Sequence, residues 1–239
     1  MTTTRKIIEA GDLAPDFTLP DTDGAPVSLS SYRGKKLAIF VWGSWCGCRN
    51  QLPAWQELYN QHAGQGLEVL GVSMDSEGPF RVTPFITWAK TTFKTVVDVR
   101  NTLTELYGLK AVPTCYLVDE SGVVRFKQHK GFDIRKAESA AVIERWLAGR
   151  PPIAEGLPPS APVGKEVYDG HAVYLKGLEA FRAGRREEAI AIWRDGLAKD
   201  PDNFILMKQA WSAENPDAFK AALEKLTEQP APTSQSSIP

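Results

Sequence analysis

One glycine separates two cysteines in the run Trp45-Cys46-Gly47-Cys48-Arg49. Thiols this close can exchange with a disulfide, sense an oxidant or hold a soft metal. A third cysteine, Cys115, stands two residues after Pro113. Structural zinc takes four ligands, and the chain has three cysteines and three histidines in all. None of His62, His129 and His171 falls at a tight ligand spacing from the pair. Thiol redox chemistry is therefore the expected use, with no metal and no cofactor. Copper(I), which accepts fewer soft ligands, is the metal best suited to compete.

The elements around the pair favour that chemistry. Leu37 to Trp42 is a short apolar and aromatic run that reads as a strand buried on both faces. Gly43 and Ser44 break it, and from Leu52 onward Trp55, Leu58 and Tyr59 recur at helical spacing, predicting a helix from about Arg49 to His62. The cysteines thus stand where a strand hands over to a helix. Unpaired N–H groups and the positive end of the macrodipole stabilise a thiolate there, and Arg49 adds positive charge. A disulfide between positions i and i+2 closes a tighter ring than one between i and i+3. Gly47 permits it because glycine accepts backbone angles other residues do not. The tighter ring predicts a more oxidising pair than a C-x-x-C, by about 30 mV for each 1.4 kcal/mol of extra strain.

Trp42, Trp45, Cys46, Cys48, Arg49 and Pro53 resemble the FWxxWCxxCRxExP-like signature of thioredoxin-like redox proteins, in the TlpA/ResA branch of thiol-disulfide oxidoreductases. The resemblance covers roughly the first 148 residues. Two departures stand out: only Gly47 separates the cysteines, and Gln51 occupies the usual acidic position. The stretch from Ala14 to Lys35 is similar to the N-terminal hairpin of the redoxin branch, peroxiredoxins included. The resemblance implies that Cys46 attacks, that Cys48 resolves a mixed disulfide, and that Pro113 follows a cis peptide. It also implies that Val112 offers its backbone to an extended substrate. The implied partners are a protein or small-molecule disulfide and a thiol electron donor. Trp45 is either an exposed part of the substrate site or a packed cover. Cys115 is either a small buried strand residue or a third redox thiol near Cys46. A peroxidase is the second enzymatic reading, but P-x-x-x-T-x-x-C is not present. Counting back from Cys46 gives Gly43 and Ile39, and from Cys48 gives Trp45 and Val41.

Along the chain, residues 1–12 read as a frayed lead-in. Asp23-Gly24 predicts a hairpin turn between two short strands. A second buried strand is expected over Leu67–Ser73, a loop from Met74 to Arg81, and a helix from Pro84 to Phe93. A short strand at Val96–Asp98 and a short helix from Asn101 to Tyr107 follow. A proline-led strand to Asp119, a hairpin at Ser121-Gly122 and a helix from Ile134 to Leu147 complete an α/β pattern. With the resemblance, the fold class is an α/β thioredoxin-like sandwich with an N-terminal β-hairpin over residues 1–148. Residues 149–164 are rich in Pro and Gly and read as a linker.

Residues 165–228 differ in kind. Gly177, Leu178, Phe181, Gly184, Ala189, Trp193 and Pro201 fit one tetratricopeptide-like helical hairpin of about 34 residues, with one or two further helices divided near Asn215-Pro216. This predicts a small all-α domain, with Gly177 and Ala189 letting the helices approach. A lone repeat cannot bury its own face. These helices are therefore expected to pack on the redox domain or on a protein partner, and an interaction module is the non-enzymatic reading of the chain. Residues 229–239 read as a disordered tail. The 239 residues carry a net charge of −1, which gives no attraction to nucleic acid or anionic membranes. No apolar run spans a bilayer and Met1–Phe17 lacks a signal-peptide core, which predicts a cytoplasmic protein.

Overall fold

The computed structural model describes residues 8–153, 155–157 and 170–228. Its frame is a five-stranded sheet in the order β5-β4-β3-β6-β7. The strands are β3 (Lys36–Trp42), β4 (Leu67–Ser73), β5 (Lys94–Val97), β6 (Thr114–Val118) and β7 (Val124–His129). A separate hairpin joins β1 (Thr18–Pro20) and β2 (Pro26–Ser28). β3, β4 and β5 run parallel, while β6 and β7 are antiparallel. Every residue of β3 after Lys36 is buried, as a central strand covered on both faces requires. On one face Phe40 stacks on Trp55 of α1 (Leu52–His62), with centroids 5.1 Å apart. Asp21 closes the hairpin turn by accepting from the N–H groups of Asp23 and Ala25. It also pairs with Lys94, tying the hairpin to β5.

Two local expectations are corrected. Residues 8–12 are not a frayed end: Ile8 is buried, Gly11 N–H donates to Val124 O, and Val124 N–H donates to Asp12 O. The open edge of β7 supplies the backbone partners that a free terminus lacks. The helix α2 spans Pro79–Trp88, five residues earlier than the apolar spacing indicates. Pro79 stands at the first helical position, where its fixed φ and missing N–H cost nothing, after Gly78 at φ 95°. The short α3 (Thr102–Tyr107) is capped by the Asp98 carboxylate, which accepts from the N–H groups of Thr102 and Leu103. The last helix of this part is α4 (Ala137–Leu147).

Four helices follow: α5 (Gly170–Arg182), α6 (Arg186–Lys199), α7 (Phe204–Glu214) and α8 (Asp217–Glu228). In the α5–α6 hairpin a Cβ on Gly177 would stand 2.1 Å from the Trp193 indole, so the close approach demands glycine. Trp193, Ala189 and Tyr174 are buried between the helices. The pair does not close on itself. Tyr174 Oη donates to Val99 O, His171 bonds Arg100 O, and Lys110 pairs with Asp200 at 2.9 Å. Ile205 and Leu226 belong to the principal core, and Phe219 of α8 packs edge-on against Phe80 and Phe85 of α2. The helices cover the carboxyl ends of the parallel strands. Residues 154, 158–164 and 229–239 of the expected linker and tail lie outside the described residues. Among the described residues, no helix is long and apolar enough to cross a membrane.

Separating the helices should expose this shared core. Residues 165–228 made alone are expected to lose most of their helicity by circular dichroism, and to regain it when mixed with the first 157 residues. A monomeric fragment that stays helical alone would contradict the packing.

A second expectation concerns His129. It is buried at the end of β7 and shares a 2.9 Å hydrogen bond with the Tyr116 hydroxyl. Burial, aided by Lys127, pulls its pKa down to about 4 from 6.5. Above pH 6.5 neither state carries the proton. Between 6.5 and 4 the unfolded chain binds a proton that the folded chain refuses, so stability falls with pH by roughly 3 kcal/mol. Denaturant titrations of His129→Gln should show this slope flattened.

Candidate redox site

The redox turn leaves the carboxyl end of β3 at Gly43. Cys46 N–H donates to Gly43 O at 3.0 Å, closing the turn. A Cβ at Gly43 would stand 2.7 Å from the Trp45 ring, so glycine is what lets the indole fold back. Cys46 and Cys48 are joined as a disulfide with Cα atoms 5.1 Å apart. Cys46 is half-buried and Cys48 is buried, with Gly47 exposed between them.

The expected helix start needs correction. Residues Gly47–Gln51 form a 3-10 turn and α1 begins only at Leu52. Cys46 caps the 3-10 turn: its sulfur accepts from Cys48 N–H at 3.2 Å. The field on the Cys46 sulfur therefore comes from a nearby peptide N–H more than from the macrodipole of a long helix.

Arg49 holds the turn from within. Its Nη1 donates to Ser44 O and Cys46 O, each at 3.1 Å, and its guanidinium lies 5.2 Å from the Phe85 centroid. Burial pulls the guanidinium down from its ordinary value, with Asp75 opposing. Gln51 is a structural tie here. Its Nε2 donates to Phe132 O and its Oε1 accepts from Ile134 N–H, binding the turn to the β7–α4 connection.

Asp75 was not legible in the sequence. It follows β4 and is fully buried. Its carboxyl accepts from Ser44 N–H at 2.9 Å, Ser44 Oγ at 2.5 Å and Ser73 Oγ at 2.5 Å. Burial raises its pKa, and the bonds from the two serines work against that. The available signal was an acid just past a buried strand between Ser73 and Ser76.

The peptide between Val112 and Pro113 is cis, as the resemblance implies. Val41 pairs with Thr114, so Pro113 stands across from the end of β3, where the redox turn begins. Val112 is buried and Pro113 half-buried. Cys115 lies deeper in the sheet, opposite Phe40 and Gln128. It is a free thiol, fully buried, and desolvation raises its pKa well above the ordinary value. Among the described residues no cluster of three or more His, Cys, Asp or Glu could hold a metal.

The C-terminal helices reach this site. The Trp45 ring is 6.1 Å from that of Phe204 at the start of α7. Ile205 N–H donates to Lys110 O in the loop before Pro113. Ser76 is hydrogen-bonded to Gln209 of α7. Trp45 is accordingly a partly packed cover that keeps one side open.

The AhpC/TSA family matches residues 10–127. A thiol-disulfide oxidoreductase ResA from Geobacillus thermodenitrificans is 35% identical over 124 residues, 52% of this chain and 71% of that protein. ResA of Halalkalibacterium halodurans is 30% identical over 128 residues, 53% of this chain and 72% of that protein. Among solved structures, a putative thiol:disulfide interchange protein DsbE from Chlorobium tepidum superposes with a TM-score of 0.53 at 30% identity. It covers 59% of this chain and 97% of its own. The thioredoxin domain of a Bacteroides vulgatus thiol-disulfide oxidoreductase gives 0.51 at 26% identity, covering 59% and 99%. A fold with a disulfide-bonded pair beside a cis-proline loop, together with these relatives, establishes that the chain belongs to the thioredoxin-like thiol-disulfide oxidoreductases of the ResA type.

Proposed function

We propose that this thiol-disulfide oxidoreductase acts on the disulfides of polypeptides, with Cys46 as the nucleophile and Cys48 as the resolving thiol. The observation that carries the assignment is the difference in exposure, since Cys46 reaches the surface and Cys48 is 5% exposed. In the reducing direction, the Cys46 thiolate attacks one substrate sulfur. The substrate S–S bond breaks and its other sulfur leaves as a thiolate. Deprotonated Cys48 then attacks Cys46, releasing the second substrate thiol and closing the Cys46–Cys48 bond. Two electrons pass from the dithiol to the substrate disulfide, and an external thiol donor restores the dithiol. The reverse sequence oxidises a substrate dithiol.

The Cys48 N–H aimed at the Cys46 sulfur stabilises the thiolate on which attack depends. Val112 and Pro113 supply the backbone edge for an extended substrate, and Trp45 the apolar cover next to the attacked sulfur. Cys115 takes no part in turnover: its desolvated thiol resists ionisation. The α5–α6 hairpin is read as a single tetratricopeptide-like unit, on the strength of Gly177 against Trp193 and the turn at Gly184.

Trapping separates the roles of the two cysteines. In a Cys115→Ala background, Cys48→Ser is expected to accumulate a mixed disulfide with an unfolded disulfide-bonded protein, whose other sulfur leaves as the thiolate, read by mass. Cys46→Ser is expected to accumulate at most a tenth as much, because a buried thiol is the poorer nucleophile. A stronger adduct through Cys48 would reverse the assignment.

The one-residue spacing makes a second expectation. Thiol trapping in glutathione buffers should place the midpoint of the pair above thioredoxin's value of about −270 mV. A midpoint at or below that value would favour a pure reductase over an oxidant or isomerase.

A further inference from the structure

Beside the redox turn lies a cleft of about 100 Å³, walled on one side by Ser44, Trp45 and Arg49 and on the other by Trp211, Ser212 and Phe219 of α7 and α8. It exists only because the C-terminal helices are packed there. Its charge is one-sided. Arg81, also on its wall, is paired with Glu77 and stacked on Phe219 with 4.1 Å to the ring centroid. Arg49 has no ion-pair partner among the described residues; its guanidinium donates to two backbone carbonyls. Asp75 is buried and acts on Arg49 only through space, its carboxyl oxygens being engaged by Ser44 and Ser73. A half-buried guanidinium with no carboxylate in contact is costly, and a carboxylate is the group that fits its donor geometry. Lys208 of α7 does not line the cleft, but its ammonium lies 4.8 Å from the ring centroid of Trp211, which does.

We propose that this cleft docks an acidic side chain of the polypeptide whose disulfide the redox pair exchanges. The proposal rests on the assignment of polypeptide disulfides as substrates and adds what selects among them. The cleft is continuous with the redox turn through Ser44 and Trp45, so a residue close in sequence to the attacked cysteine can reach it. Its volume suits one side chain, with the indoles of Trp45 and Trp211 covering the methylenes and Arg49 taking the carboxylate.

The test uses the full chain in its reduced form and synthetic peptides of one sequence that carry an intramolecular disulfide. Glu, Gln or Lys is placed in turn at each of the three positions preceding the attacked cysteine, and the second-order rate constant for single-turnover reduction of the peptide by the reduced protein is measured. At one position Glu should exceed Lys by about tenfold, with Gln between, and the ratio should shrink as salt is raised. Arg49→Gln should flatten the ratio, whatever it does to the absolute rate. Ser212→Glu puts a carboxylate on the opposite, more accessible wall and should shift the preference toward Lys. Equal rates across the peptides, or a Glu preference untouched by both substitutions, overturns the docking site while leaving the oxidoreductase assignment in place. If no peptide is reduced by the unmodified protein, the assignment of polypeptide substrates falls and the docking site with it.

Discussion

The hydrogen-bonded carboxyl of Asp75 is the constraint on which the site depends. It joins the end of β4 to the redox turn through both the N–H and the hydroxyl of Ser44. Ser44 then presents its carbonyl to Arg49, and Arg49 clasps the carbonyl of Cys46. One buried acid thus sets the path of the backbone between Trp42 and Cys46, a stretch containing Gly43 with little stiffness of its own. Burying a carboxyl is unfavourable unless its oxygens are satisfied. Here two hydroxyls and a peptide N–H satisfy them, so the turn and the acid hold each other in place.

The C-terminal helices stand on the same ground. They contact the loops after β3, β4 and β5 and the loop before Pro113, through Phe204, Gln209, Tyr174 and Ile205 respectively. In open α/β sheets the carboxyl ends of parallel strands are where ligands bind. This chain has built a wall over part of that surface and left Cys46 partly exposed beside it. The pair α5–α6 is too small to bury both its faces, and α7 together with the loop after β5 supplies the missing cover.

Much of this could be read from residue order because it is local. The run Leu37–Trp42, the pair Cys46/Cys48, the turn at Asp23-Gly24 and the small residues facing Trp193 each announce their role within a few positions. What escaped reading depends on distant partners. Asp75 gains its meaning from Ser44, 31 residues away in sequence. The chain at Ile8–Leu13 becomes ordered because β7 offers an edge. The apolar spacing of α2 begins late because its first turn is defined by Pro79 and the Phe219 contact with Phe80, not by residues facing the sheet. The 3-10 form of Gly47–Gln51 reflects the i,i+2 link and the Gln51 tie to Phe132 and Ile134, neither of which has a propensity signature.

The contact between Trp45 and Phe204 has a thermodynamic consequence. A side chain adjoining the disulfide is also part of the seat of α7, so the chemical state of the sulfurs and the seating of the helix share one free-energy surface. Coupling of this kind is reciprocal. To whatever extent opening the Cys46–Cys48 bond loosens α7, holding α7 in place makes the bond harder to open by the same amount. A ligand of these helices that discriminates between the two states would act as an effector of the redox centre without touching a sulfur.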